Sequence, residues 1–75
     1  IKLAPKEFDL LEYLVINKGL SLSRDKLLEF VWGYDFEGGS RVVDNHIKKL
    51  RQKLGKYGYC IETVVSIGYR FVIKG

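Results

Sequence analysis

The sequence has little of several residue types on which whole classes of protein depend. A single cysteine, Cys60, cannot form an internal disulfide or supply a multi-thiolate metal site. The longest uninterrupted apolar run covers residues 13–16, whereas a membrane span needs about 20 apolar residues. Methionine is absent, and the chain opens in mid-pattern, as expected of a fragment of a longer protein. These shortages exclude a disulfide-stapled secreted scaffold and a membrane-inserted segment, so we expect a cytoplasmic domain.

The residues that are present have the balance of one small globular domain. The 75 residues are 47% hydrophobic and 29% charged, a composition typical of soluble domains. A chain of this length folds around one core and has no room for a deep catalytic cleft. We therefore expect a single domain over residues 1–75. No arrangement of nucleophile, base and carboxylate indicates an enzyme, and one histidine with one distant cysteine predicts neither a metal site nor a cofactor.

The charge is unevenly distributed along the chain. Residues 1–40 hold five basic and seven acidic side chains, a net charge of −2, whereas residues 41–75 hold eight and two, a net charge of +6. Six of these cations fall within residues 41–56, beside a single acid, Asp44. Such a cluster is typical of a polyanion-binding surface and predicts a log-log salt slope of about −4 to −5 for DNA binding. Composition leaves open that the cluster is only a solvated helix face.

Periodic apolar residues predict a first helix. Pro5 fits the first helical position, and residues 17–19 fit the C-terminal end, whereas Ala4 is a poor N-cap. The apolar residues that recur at spacings of three and four, and that we expect in the core, are Phe8, Leu11, Leu14 and Val15.

A second helix follows a short extended piece at residues 20–22. Ser23 is a good N-cap for it. The residues expected to face inward are Leu27, Leu28 and Val31. Residues 33–39 contain three glycines and predict a loop. We expect Tyr34 and Phe36 to attach this loop to the core.

A third helix is predicted from a cap at Ser40 to about Leu54. Its inward side carries Val43, Ile47, Leu50 and Leu54. At about 100° per residue, the opposite side carries Arg41, Asn45, Lys48, Lys49 and Gln52. Asp44 and Arg51 lie on one flank, with Val42 and His46 on the other. A face that mixes cations with an amide can contact base edges as well as phosphates.

β-Branched and aromatic residues predict a C-terminal hairpin with strands at residues 59–65 and 69–73. We expect Gly68, in the turn, to take a positive φ. The residues expected on the core side are Tyr69, Phe71 and Ile73. The predicted fold class is therefore α+β, a winged helix-turn-helix in which a three-helix bundle precedes a β-hairpin wing.

Four segments carry a shared pattern in order along nearly the whole chain. They are Leu3-x-Pro5-Lys6-Glu7-Phe8-x-Leu10-Leu11, Ser23-Arg24-x-x-Leu27-Leu28-x-x-Val31-Trp32-Gly33, Arg41-x-Val43-Asp44-x-His46-Ile47-x-x-Leu50-Arg51-x-Lys53-Leu54, and Thr63-Val64 with Gly68-Tyr69-Arg70-Phe71. In these segments the chain resembles the C-terminal effector domain of OmpR/PhoB-type response regulators, which are winged-helix transcription factors. Residues 1–3 would be the last trace of that family's N-terminal small sheet.

The resemblance implies that the third helix, about residues 40–54, enters the major groove, and that the wing, about residues 59–73, contacts the backbone. The residues that it places near base edges are Arg41, Val42, Asn45, His46 and Lys49. Those that it places on phosphates are Lys48, Arg51 and, through its indole N–H, Trp32. The family's minor-groove arginine is replaced by Val65, which leaves the Thr63 and Ser66 hydroxyls as the phosphate donors of the wing, with Arg70 as a further candidate.

The residues themselves leave some of these roles open. Lys49 fits a guanine or a phosphate, and His46 fits a packed, hydrogen-bonded side chain as well as a DNA contact. For Asp44, the resemblance implies an orienting ion-pair partner rather than a DNA contact.

The resemblance also implies a function and partners. The function is regulation of transcription by sequence-specific binding of double-stranded DNA, as tandem head-to-tail protomers on direct repeats. In the full-length protein, a receiver domain upstream and a sensor kinase would supply the signal by phosphorelay. The loop with Asp35, Phe36 and Glu37 would contact RNA polymerase, or else be a plain solvated connection. The competing function is a winged-helix interaction module whose basic helix binds an acidic protein.

Overall fold

Three helices precede a small antiparallel sheet in the computed structural model, which describes residues 2–74. The helices are α1 (Pro5–Ile16), α2 (Arg24–Trp32) and α3 (Arg41–Leu54). The strands are β1 (Leu22–Ser23), β2 (Ile61–Val64) and β3 (Gly68–Phe71), and a 3-10 helix over Gly55–Cys60 joins α3 to β2. The predicted order of three helices and a hairpin is confirmed. The expected trace of an N-terminal sheet at residues 1–3 falls partly on Ile1, which lies outside the described residues.

One core joins all the helices to the sheet. Its buried residues are Leu10, Leu14, Leu22, Leu27, Val31, Val43, Ile47, Leu50, Ile61 and Tyr69. The predicted inward sides of α2 and α3 are confirmed, except that Leu28 and Leu54 are only half-buried. Because each fully buried leucine or isoleucine contributes about 1.5–3 kcal/mol, this cluster is the main force that holds α3 in place.

The predicted core side of α1 is confirmed at Leu14 and, in part, at the half-buried Leu11, but not at Phe8 and Val15. Leu10 and Leu14 are fully buried and Glu7 is only 4% exposed, whereas Phe8 is 53% and Val15 40% exposed. Phe8 lies about 160° around the helix from Leu10, so the two cannot face the same neighbours. The spacing rule was wrong for Phe8 and Val15 because apolar residues occur on more than one side of α1. The position of α2 and α3 decides which side is covered.

The N-terminal caps of the helices also differ from one another. The Ser23 Oγ accepts a hydrogen bond from the Lys26 N–H at 3.0 Å, so this predicted cap is confirmed. The Ser40 side chain makes no capping bond, and the backbone of Ser40 is already helical, which makes that predicted cap wrong. At α1, the Glu7 carboxylate compensates for Ala4 by accepting the Ala4 N–H at 2.9 Å.

The sheet has the strand order β1-β3-β2, and both pairings are antiparallel. Its strands are shorter than predicted because residues 59 and 60 belong to the 3-10 helix, and Ile73 lies beyond β3, 67% exposed. Ser66, not Gly68, has the positive φ, at 66°. Gly68 is needed for a different reason, since a Cβ there would collide with the Leu22 carbonyl oxygen of β1.

Candidate nucleic-acid interface

The outward side of α3 is a continuous polar surface, which we call the α3 outer face. It consists of Arg41, Asn45, Lys48, Lys49 and Gln52, all of them exposed. Within residues 2–74, none of these side chains takes part in an ion pair or a side-chain hydrogen bond. Its three cations and two amides are therefore free to bind a ligand, on a helix whose other side is fixed in the core.

Val42 and His46, predicted near base edges, lie at the border of the α3 outer face and are half-buried. The His46 ring meets the Trp32 ring edge-on, with centroids 4.9 Å apart. His46 Nδ1 lies 3.0 Å from the Val42 carbonyl oxygen. Since a carbonyl only accepts, Nδ1 carries the proton and donates. Of the two roles left open for His46, the packed and hydrogen-bonded one matches this geometry.

Asp44 is the ion-pair partner that the sequence predicted. Its Oδ1 accepts from Arg24 Nε at 2.8 Å and from the Tyr69 hydroxyl at 2.6 Å. Burial opposes ionisation of Asp44, but these two hydrogen bonds outweigh it, and the pKa of Asp44 lies below its ordinary value. Burial and the bond to Asp44 raise the pKa of Tyr69. One carboxylate thus connects α2, α3 and β3.

Arg51 does not project with the α3 outer face. Its Nε and Nη2 donate to the Ile61 carbonyl oxygen at 3.0 and 2.6 Å, and Nη2 also donates to Thr63 Oγ1 at 3.0 Å. The guanidinium lies over the Tyr69 ring, 5.7 Å from its centroid. Two of the three guanidinium nitrogens are thus used in contacts that fasten β2 to α3, and the phosphate contact of Arg51 stays a prediction.

The hairpin places hydroxyl groups, but no cation, at its exposed end. Thr63 and Ser66 are both exposed, as predicted for phosphate donors. Val65, where the family has an arginine, is 82% exposed. The hairpin therefore offers neutral donors and apolar surface, and the positive charge of this region comes from α3.

Trp32 lies beside His46, at the border of the α3 outer face, and the loop at residues 33–39 leads into α3. The Trp32 ring packs between His46 and Phe36. Its indole N–H reaches solvent and has no acceptor among residues 2–74, so it is free for the predicted phosphate. Asp35 and Glu37 are exposed. Tyr34 does not attach the loop to the core, because it is 87% exposed.

The described residues contain no group of three or more histidine, cysteine or carboxylate side chains placed to hold a metal ion. No described helix is both long enough and apolar enough to cross a membrane.

Reasoning from the sequence missed Arg24 and Tyr69 as the partners of Asp44. The sequence did indicate that Tyr69 needs a partner, because a tyrosine expected on the core side must hydrogen-bond its hydroxyl. The sequence does not show which side chain the fold brings there.

Comparison with known proteins agrees with this geometry. The family model described as "Transcriptional regulatory protein, C terminal" matches residues 1–71. The chain is 54% identical over 70 residues to the uncharacterized transcriptional regulatory protein YclJ of Bacillus subtilis, a match that covers 92% of this chain and 31% of that protein. The chain thus spans about a third of the length of the curated relatives that it matches.

Solved structures are similar in both sequence and fold. The DNA-binding domain of Bacillus subtilis CssR superimposes with a TM-score of 0.87 at 42% identity, covering 95% of this chain and 78% of that chain. The RstA DNA-binding domain of Klebsiella pneumoniae, in complex with the RstA box, superimposes with a TM-score of 0.82 at 36% identity, covering 96% and 74%.

Proposed function

The chain belongs to the family of C-terminal domains of transcriptional regulatory proteins, and on that premise we propose that it binds a specific duplex DNA sequence through the α3 outer face. The family is one of DNA-binding domains of response regulators rather than of enzymes. The similar RstA DNA-binding domain was solved in complex with the RstA box. Regulation of transcription is the function that follows from DNA binding in this family.

The observation that carries the proposal is the unpaired state of the α3 outer face. α3 has 14 residues and is about 21 Å long, a rod that the major groove can admit. Lys49 and Asn45 lie on its exposed side and offer donors to guanine and adenine edges. Arg41 and Lys48 flank them. Thr63, Ser66 and the Trp32 indole supply neutral donors to phosphates on either side.

The activities of the longer protein are proposed on the resemblance and on the length of its relatives. We propose that a receiver domain precedes this one and is phosphorylated by a sensor kinase in the cytoplasm. Two protomers would bind direct repeats in tandem, about one helical turn of DNA apart. The loop with Asp35, Phe36 and Glu37 is exposed, with Phe36 beside Trp32, and is proposed to contact RNA polymerase.

Selection of binding sites from a random duplex pool tests the DNA-binding proposal. We expect one recurrent motif, and we expect it to return as a direct repeat when the full-length protein is used. A pool that yields no enriched motif contradicts sequence-specific binding. In that case an acidic protein, bound by the same cations, becomes the better candidate for the partner.

Lys49→Ala then tests the assignment of the α3 outer face. Loss of a base contact costs about 1–3 kcal/mol on the selected site and much less on shuffled DNA. Binding to both duplexes is measured by fluorescence anisotropy at one salt concentration. Lys18→Ala, which removes an exposed cation just beyond α1, is the control and should change neither affinity. Equal losses on the two duplexes would make Lys49 a phosphate contact.

A further inference from the structure

Arg51 and Thr63 meet where α3 packs against the hairpin, and the hydrogen bond between them has a direction. Arg51 Nη2 lies 3.0 Å from Thr63 Oγ1. A guanidinium has donors only and stays protonated, so the threonine oxygen accepts. The hydroxyl proton of Thr63 is then left for a different acceptor.

Nothing in the described part of the chain takes that proton. Thr63 is exposed, and none of the hydrogen bonds within residues 2–74 has its hydroxyl as donor. A hydroxyl oxygen that already accepts from a cation is a stronger donor through its own O–H, because successive hydrogen bonds polarise one another. An anionic oxygen is the acceptor that suits such a donor best.

Arg51 itself is held in place by its surroundings. Two bonds to the Ile61 carbonyl oxygen fix the plane of the guanidinium. The ring of Tyr69 lies beneath it, and the hydroxyl of Tyr69 is bound to Asp44. Thr63 and Tyr69 are partners in the β2–β3 register. These contacts connect Thr63 to α3 through Arg51 and Tyr69, and they fix the direction of the Thr63 hydroxyl.

We infer that Arg51 is a positioning residue, which orients the Thr63 hydroxyl so that Thr63, and not Arg51, donates to a DNA phosphate. This inference rests on the proposed DNA binding. In this role, Arg51 stabilises the junction of α3 and the hairpin and does not itself bind DNA.

Two conservative substitutions separate this role from a direct contact. Thr63→Val removes the hydroxyl at nearly constant shape and should weaken binding to the selected duplex about tenfold, the effect of losing one hydrogen bond to a charged group. Thr63→Ser keeps the hydroxyl and should bind as the unmodified chain does. Arg51→Lys keeps the charge but loses the planar fork, so it should weaken binding to the same extent as Thr63→Val.

The double variant and the salt dependence distinguish a positioning role of Arg51 from a direct phosphate contact. Arg51→Lys combined with Thr63→Val should bind no more weakly than either single variant, because both remove the same contact. The log-log salt slope should not change, since neither substitution removes a charge. Glu62→Gln is the matched control. It breaks the ion pairs of Glu62 with Arg70 and Lys74. Because it removes a negative charge and leaves Thr63 and Arg51 in place, it should not weaken DNA binding.

Three results would overturn the inference. They are normal binding by Thr63→Val, normal binding by Arg51→Lys, and losses that add in the double variant. Thermal unfolding of each variant checks that the fold is retained, and Thr63→Val, at an exposed position, keeps the test valid if Arg51→Lys unfolds. An unmodified chain that binds no duplex would contradict the proposed function instead, so the two failures are distinguishable.

Discussion

At the scale of single residues, Glu7 shows how one side chain can have a role that its type does not reveal. A glutamate on an amphipathic helix is normally solvated, but Glu7 is almost fully buried. Its Oε1 accepts from Lys53 Nζ at 2.7 Å and from the Ala4 N–H at 2.9 Å. The same carboxylate therefore starts α1 and ties it to the last turn of α3.

These contacts predict an acid-sensitive contribution to stability. The hydrogen bonds from Lys53 and then from Ala4 lower the pKa of Glu7 below its ordinary value of 4.5. A lowered pKa in the folded state means that the contribution is fully present above the ordinary value and is lost as the pH falls through the folded value. Glu7→Gln should therefore be less stable than the unmodified chain at pH 7, and its stability should fall less between pH 7 and about pH 3.

Urea unfolding at the two pH values measures this difference. The lowered pKa values of Asp44 and Glu62 add a similar acid sensitivity to both chains, so only the difference between the chains reports on Glu7. Glu12→Gln is the control, because Glu12 is exposed and forms none of the ion pairs among residues 2–74. Parallel pH profiles for Glu7→Gln and the unmodified chain would mean that the Glu7–Lys53 pair adds nothing to stability.

At the scale of elements, the two-residue strand β1 connects the hairpin to the helices. It lies between α1 and α2 in the chain and pairs with β3, so the hairpin is attached to the helices by backbone hydrogen bonds. The Arg24 N–H at the start of α2 also donates to the Ile67 carbonyl oxygen at 3.3 Å. The orientation of the hairpin relative to α3 therefore depends on how closely β1 and β3 approach.

Gly68→Ala tests this dependence. The new Cβ would collide with the backbone of β1, and such overpacking destabilises by about 3 kcal/mol. We expect a lower urea midpoint, and loss of DNA affinity even where the helices remain folded. The matched control is Gly39→Ala, since a Cβ at Gly39 meets nothing within 4 Å and its φ is not positive. Equal midpoints for the two variants would show that β1 can move away at little cost.

At the scale of the whole molecule, the structure shows how many of the clustered cations are available to bind DNA. Six cations lie within residues 41–56, but the structure engages two of them internally. Arg51 is bound to β2, and Lys53 is paired with Glu7. The cations that remain free are Arg41, Lys48, Lys49 and Lys56. The molecule thus offers fewer charges to a polyanion than its composition indicates.

The salt dependence of DNA binding should reflect the smaller number. These four cations, of which Lys49 is assigned to a base, can neutralise at most four phosphates, so the log-log slope should be no steeper than about −3.6 per protomer, instead of the −4 to −5 expected from the sequence. Titration of the selected duplex with potassium chloride measures the slope. A value near −5 would place Arg51 and Lys53 on phosphates after all, and a value near zero would favour an acidic protein as the partner.

The sequence by itself determined the order of the elements, the inward sides of α2 and α3, and the polar residues of the α3 outer face. These features depend on local spacing, and a helix with one apolar and one cationic side has a single way to face a core. The role of Asp44 as an ion-pair partner was implied by the family resemblance, and the structure supplies its cation, Arg24.

Only the tertiary structure decided which residues of α1 are buried, the internal hydrogen bonds of Arg51, the packing of His46 against Trp32 and the need for Gly68. Each of these depends on an element distant in the chain: α3 for Glu7, β2 for Arg51, α2 for His46 and β1 for Gly68. The spacing of residues along one helix contains no information about elements that are distant in the chain. Those elements decide which of several similar side chains is buried or hydrogen-bonded. The cationic surface could therefore be predicted from the sequence, but not the number of its cations that are free.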